Sequence, residues 1–188
     1  MQDRLRSIYP AEGEEMGSEV VKEPKERWDT VMKRYAYVVA VVFCYIVRDG
    51  KILLIRRGNP PSYNEYTVVG GKKEVGEDLL SACRREVAEE TNLDVGHLEF
   101  RGVVHNHMAG RDFEVITFYF KTEDFSGDIK SGSEGDLEWC DIEESFSKEG
   151  ISEYYLKITP LVLGEGSSFA GSISINGEGK IERFELSK

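Results

Sequence analysis

Cysteine is scarce in this 188-residue chain: three residues, at positions 44, 83 and 140, an odd number with no C-x-x-C pair. A disulfide framework and a structural zinc site are both disfavoured, and a reducing cytoplasm is the expected compartment. Long apolar runs are missing too. The longest uncharged stretch, residues 35–47, is thirteen residues, well short of the ~20 that a membrane helix needs. Its valines and aromatics read as buried strand. The N-terminus has no basic segment followed by an apolar one, so no signal peptide is expected. Basic charge is outnumbered: Lys plus Arg is 24 against 35 Asp plus Glu, a formal net charge of −11. A nucleic-acid backbone or an anionic membrane calls for clustered cations, so neither is an expected partner. A polyanionic small molecule can still bind such a protein when a divalent cation stands between the two.

With 40% apolar and 31% charged residues, the composition is that of a globular domain, and the length suits one domain plus an extension. Residues 1–34 are polar and acidic, with Glu12, Glu14, Glu15, Glu19, Glu23 and Glu26. They read as an acidic N-terminal extension with a short helix near residues 25–33, ahead of a domain over 35–188. In that domain, Asp49-Gly50 is a two-residue hairpin signal, because a type I′ turn needs positive φ at both positions. It joins strands over 35–47 and 51–57. A helix fits 78–91, with Leu80, Cys83 and Val87 as its buried stripe. Strands follow over 98–104, 113–121 and 137–142. Residues 151–163 have helical spacing interrupted by Pro160, and a terminal hairpin over 168–175 and 180–186 turns at Asn176-Gly177. Strands on either side of a central helix predict an α/β protein with a mixed sheet and helices packed on it.

The stretch from Gly70 to Leu93, GGKKEVGEDLLSACRREVAEETNL, concentrates the chemistry. On a helix, Glu86, Glu89 and Glu90 stand at i, i+3 and i+4 and span about 100° of the wheel. Three carboxylates on one narrow face repel one another, and hard oxygen ligands at this density suit Mg²⁺ or Mn²⁺. Arg85 lies beside Glu89 and can pair with it or reach back to Glu77, orienting the other carboxylates. Gly70 and Gly71 allow a tight backbone approach at the foot of the helix, where a carbonyl could join the metal site.

As a whole, this stretch resembles the Nudix box, GX5EX7REUXEEXGU with U aliphatic. Gly71 is the leading glycine; Glu77, Arg85-Glu86-Val87, Glu89-Glu90 and Leu93 follow at the required spacing. Chance would produce this match in on the order of one in a million chains of this size. Asn92 replaces the closing glycine, and Asn is the next-best residue for a left-handed helix cap. The resemblance implies a Nudix-type mixed β-sheet sandwiched between helices. It also implies hydrolysis of a nucleoside diphosphate linked to another group, with Mg²⁺ or Mn²⁺ as cofactor. By position in the box, Glu86, Glu89, Glu90 and the Gly70 carbonyl would be metal ligands, with Arg85, Glu77 and Gly71 in support. Glu86 and Glu134 are the two candidate general bases; Glu134 lies in a Gly/Ser-rich loop five residues before Trp139.

More loosely, residues 37–186 resemble MutT-like enzymes that hydrolyse nucleoside triphosphates, oxidised purine ones among them, to the monophosphate and pyrophosphate. Where some of those enzymes carry paired aspartates that read the purine edge, this chain has Tyr154 and Tyr155, which could stack on a base. Hydrolysis of ADP-ribose or a nucleotide sugar is the alternative within enzymes, and a non-catalytic nucleotide-binding regulator is the alternative outside them. A homodimer is compatible with the resemblance. His105 and His107 would share one face of a strand. With no third nitrogen or thiolate nearby in sequence, they read as rim residues able to touch substrate rather than as metal ligands.

Overall fold

Strand β1 (Tyr37–Arg48) runs through the middle of the molecule, and its residues alternate between two apolar interiors. Val42, Cys44 and Ile46 face one; Tyr45 and Val47 face the other. Strand β2 (Lys51–Arg57) repeats the pattern, with Leu53 and Ile55 on the first face and Ile52 and Leu54 on the second. A sheet buried on both faces must be covered on both. The computed structural model describes residues 37–60 and 62–187. The acidic extension over 1–34 and the helix near 25–33 lie outside the described residues.

The turn between β1 and β2 is the expected one: Asp49 and Gly50 have φ of 51° and 76°. The other strands are β3 (Tyr66–Thr67), β4 (Val69–Lys72), β5 (Asp94–Val95), β6 (Glu99–Met108), β7 (Phe113–Thr122), β8 (Phe125–Ser126), β9 (Gly135–Asp141), β10 (Phe169–Ile175) and β11 (Ile181–Leu186). The main sheet has the order β11-β10-β6-β7-β1-β2-β3, with β4 also on β1 and β9 also on β2. It is mixed, because β7 runs parallel to β1 and β10 parallel to β6. The small β5-β8 ladder was not anticipated; two-residue strands leave too little periodicity to read.

Helix α1 (Leu79–Thr91) covers the first face, through Ala82, Cys83 and Val87. Helix α3 (Glu153–Leu163) covers the second, through Tyr155, Ile158 and Val162. A short α2 (Ile142–Ser145) follows β9. The mixed sheet between helices is therefore observed, with two local corrections. Leu80 is exposed, and Leu79 and Ala82 stand with Cys83 and Val87 on the packed side. Pro160 lies inside α3 instead of interrupting it. It sits on the exposed face, where the carbonyl its ring leaves unpaired can meet water.

One feature of the sheet places the box. The edge of β1 away from β7 is shared: β2 pairs only at Val47 and Arg48, and β4 takes the stretch from Val41 to Cys44. That register sets Gly70 opposite Phe43 and Gly71 opposite Val42, directly beneath α1.

Candidate functional site

Helix α1 is capped at both ends by the residues that bound the acidic stretch. Asp78 accepts hydrogen bonds from the Ser81 amide at 2.9 Å and the Ser81 hydroxyl at 2.8 Å. At the other end Asn92 adopts the left-handed conformation, φ 65°, and its amide returns to the Ala88 carbonyl. Asn92 thus performs the capping expected of it. The caps set the ends of the helix, and burial of Ala82, Cys83 and Val87 fixes its rotation and with it the aim of its glutamates.

The three glutamates meet different surroundings. Glu89 is exposed, Glu86 is half-buried, and Glu90 is 5% exposed. Arg85 ties the outer ones together. Its Nε donates to Glu77 Oε1 at 2.6 Å, and its Nη1 donates to Glu86 Oε1 at 2.9 Å and Glu89 Oε2 at 3.0 Å. Its Nη2 donates to the Lys72 carbonyl at 2.9 Å and to the second Glu77 oxygen at 3.1 Å. One guanidinium therefore holds three carboxylates and the end of β4, a task suited to its planar fork. Both pairings anticipated for Arg85 occur together. Glu77 in turn accepts the Glu74 amide at 2.8 Å. The bonds from Arg85 and this amide hold the Glu77 carboxyl below the usual carboxylate range.

Glu90 points inward and accepts the Gly70 amide at 2.8 Å. Burial pushes its carboxyl up to about 7, against the pull of that bond; the negative charge of Glu86 adds to the rise and the positive charge of Arg57 opposes it. Burial likewise raises Glu86, and its bond from Arg85 lowers it. The glycine pair is sterically required. A Cβ on Gly71 would strike the Glu86 carboxylate, and one on Gly70 would strike the Val42 carbonyl and the backbone of Phe43. Gly70 also has φ of 149°.

Glu134 is exposed on the loop before β9, and that loop is fastened to the same corner. The Glu134 carbonyl accepts the Gly58 amide at 2.8 Å, and the Lys130 amide reaches the last turn of α1 at Thr91 at 2.9 Å. The Glu134 charge is felt by Glu90 and raises it further. Among the described residues its carboxylate has no ion-pair or hydrogen-bond partner.

Arg57 went unnoticed in the sequence. Its Nε is buried and, among the described residues, is the one buried side-chain nitrogen or oxygen with no hydrogen-bond partner. An unsatisfied buried donor is costly, and this one belongs to a cation whose field reaches Glu90. The signal was available: an Arg-Arg pair ends the strand that leads into the loop before the box.

The two tyrosines separate. Tyr155 is buried, 6.3 Å from the Tyr45 ring and 2.7 Å from the Ser145 hydroxyl, so it is a core residue with no face open to a base. Tyr154 is partly buried, and its hydroxyl donates to Asn106 Oδ1 at 2.9 Å. Of the two, Tyr154 alone keeps exposed surface. The histidines gain a partner that the sequence left unassigned: Glu114 lies between His105 and His107.

A family model described as the NUDIX domain matches residues 36–162. The ADP-ribose pyrophosphatase of Methanocaldococcus jannaschii is 30% identical over 128 residues, covering 65% of this chain and 76% of that one. The CTP pyrophosphohydrolase of Escherichia coli is 30% identical over 112 residues, 57% of this chain and 79% of that one. The crystal structure of a mutator MutT protein from Bacillus halodurans shares the fold with a TM-score of 0.71 and 25% identity, over 79% of this chain and 97% of that one.

Proposed function

The chain belongs to the Nudix hydrolase family, pyrophosphohydrolases of nucleoside diphosphates linked to a second group, and from that premise we propose that its substrate is a nucleoside triphosphate, split to the monophosphate and pyrophosphate. The observation that carries the chemistry is the carboxylate arrangement on α1. Glu86 and Glu89 share one hydrogen-bonded cation, Arg85, while Glu90 accepts only the Gly70 amide among the described residues and burial raises its carboxyl to about 7. Such a set is short of positive charge, and its donors are all hard oxygens, which fits Mg²⁺ or Mn²⁺.

Glu86, Glu89, Glu90 and the Gly70 carbonyl would hold that cation. When bound, it supplies charge neutralisation on the diphosphate oxygens and acidifies the attacking water. This chain's own residues set the stage. Glu77 orients Arg85, and Arg85 fixes the Glu86 and Glu89 carboxylates relative to each other. Gly71 leaves the space that Glu86 occupies. Between the two candidate bases the reading favours Glu134. Glu86 is engaged with Arg85, whereas the Glu134 carboxylate is uncommitted, exposed and within the field of Glu90. It takes the proton of the attacking water. The positive charge of Arg57, which reaches Glu90, attracts a substrate phosphate to this corner, and Tyr154 stacks on the base.

Two relatives support the choice of substrate. One is named for a nucleoside triphosphate, CTP, and the MutT structure is matched over nearly its whole length. A second reading, ADP-ribose, is favoured by the archaeal relative. A hydrolysis panel in Mg²⁺ separates them: ordinary and oxidised-purine nucleoside triphosphates, ADP-ribose and nucleotide sugars, with products identified. Monophosphate plus pyrophosphate from a triphosphate as the fastest reaction supports the proposal. Fastest release of AMP and ribose 5-phosphate from ADP-ribose replaces it with the second reading.

A further inference from the structure

Strands β6 and β7 form an antiparallel hairpin, and near its turn three metal-ligating side chains converge away from the box. His105 Nε2 lies 2.7 Å from Glu114 Oε2, and His107 Nδ1 lies 3.0 Å from Glu114 Oε1. The two imidazole centroids are 4.2 Å apart. One ligand atom from each residue falls within 4.8 Å of the others. The register explains the convergence. His105 and His107 are two apart on β6, so they share a face, and the intervening Asn106 pairs with Val115, which places Glu114 beside them on β7.

This cluster is separate from the carboxylates of α1. Glu114 stands opposite Val38 of β1, and Gly71 stands opposite Val42. The two positions are four residue steps apart along β1, about 13 Å. The ligand chemistry differs too: two imidazoles and one carboxylate suit a transition dication, whereas Mg²⁺ prefers an all-oxygen shell.

A second feature adjoins the three ligands. A surface cavity of about 220 Å³ is lined by His107, Glu114, Arg111, Ser174 and Glu182 among others. Glu182 is the extra residue of a bulge: Ser174 pairs with Arg183 and Ile175 with Ile181, which leaves Glu182 unopposed. Bulges re-aim side chains in this way next to functional sites.

We propose that His105, His107 and Glu114 form a zinc-class metal site, distinct from the box, with its open coordination position facing the cavity that Glu182 lines. Donor atoms around a tetrahedral zinc stand roughly 3.3 Å apart, given bond lengths of about 2.0–2.1 Å. The two short contacts open by a few tenths of an ångström, and the remaining separation closes by small rotations. All three side chains have the freedom for this, with 30–50% of their surface exposed. In the metal-free protein the Glu114 carboxylate is the partner shared by both rings. The site therefore keeps its three ligands aimed at one another before any metal arrives.

The test uses tag-free full-length protein, loaded with Zn²⁺ and desalted into excess Mg²⁺, with retained zinc counted by mass spectrometry. Wild type is expected to keep one zinc per chain, and Glu89→Gln, which alters the box, is expected to keep it as well. His105→Gln/His107→Gln is expected to lose it, with zinc affinity down by at least about a hundredfold. Both histidines are partly exposed on a strand, so circular dichroism should be unchanged; single His107→Gln provides a milder variant. Cobalt loading gives a second readout, visible absorption bands in wild type and Glu89→Gln that vanish in the histidine variants. Wild type that keeps no zinc overturns the proposal. Zinc kept equally by the double histidine variant, or lost in Glu89→Gln, overturns it as well.

Discussion

The amide of Gly70 donates to the carboxylate of Glu90 at 2.8 Å, across twenty residues of chain and in the interior. This bond fastens α1 to β4 at the point where the glycine pair passes under the helix. Among the described residues it is the one hydrogen bond that Glu90 accepts, and it does not balance the cost of burial: the carboxyl stands at about 7 rather than 4.5.

That imbalance has a measurable sign. Between pH 4.5 and about 7 the folded, metal-free protein binds a proton at Glu90 that the unfolded chain releases. Stability from this group is therefore greatest at the acid end and falls as pH rises through that window, by on the order of 3 kcal/mol. Glu77 and Glu114, whose carboxyls are held low, contribute in the opposite sense, and only below about pH 4.5. Urea denaturation in EDTA from pH 5 to 8 should show the decline in wild type and a flatter profile in Glu90→Gln. Saturating Mg²⁺ should flatten the wild-type profile.

The two glycines of the box should fail differently. Gly70→Ala forces a side chain onto a backbone with φ of 149°, against the Val42 carbonyl. A loss of on the order of 3 kcal/mol of stability is expected. Gly71→Ala pushes against the Glu86 side chain, which can swing away. Stability should change by about 1 kcal/mol or less, while kcat falls roughly 10- to 100-fold. Thermal denaturation and kinetics on the same preparations distinguish the two.

Arg85→Lys keeps the charge and removes the fork that reaches Glu77, Glu86, Glu89 and Lys72 at once. A drop of about 10- to 100-fold in kcat is expected, with the Mg²⁺ concentration for half-maximal rate moved upward. Titrating Mg²⁺ at saturating substrate reads both.

Arg57→Gln tests the positive charge that Arg57 brings to this corner. The expected result is a rise in KM of about tenfold with kcat changed less, as for loss of a hydrogen bond between a charged donor and a phosphate, about 1.4 kcal/mol. Steady-state kinetics on the best substrate of the panel gives the split.

Much of the fold was legible because its signals are local. The Asp49-Gly50 turn, the Asn92 cap, and the apolar run that reads as buried strand depend on near neighbours alone, and each stands where expected. Leu80 was misplaced because a wheel anchored on the larger apolar residues cannot see that Ala82 belongs to the buried side. Pro160 was read as a break because its tolerance depends on which face of α3 meets solvent. The candidate site divides the same way. Arg85, Glu77 and the glutamates lie within one motif, so their grouping followed from spacing. Arg57 and Glu134 reach the corner through strand pairing between β2 and β9, and Glu114 reaches the histidines across a hairpin. An H-x-H on a strand with a glutamate just past the following turn was the pattern to look for.

In the proposed function the α1 carboxylates carry a metal-dependent hydrolysis of a nucleoside triphosphate. Glu89 is its best probe, being exposed and bound only to Arg85 among the described residues, so Glu89→Gln should fold as wild type does. The decisive measurement is the Mg²⁺-dependent rate of monophosphate and pyrophosphate release by wild type and Glu89→Gln. Wild type is expected to turn over, at a rate that falls at least about a hundredfold in the variant. Equal rates in the two proteins, or no turnover by folded wild type in Mg²⁺ or Mn²⁺, would contradict it.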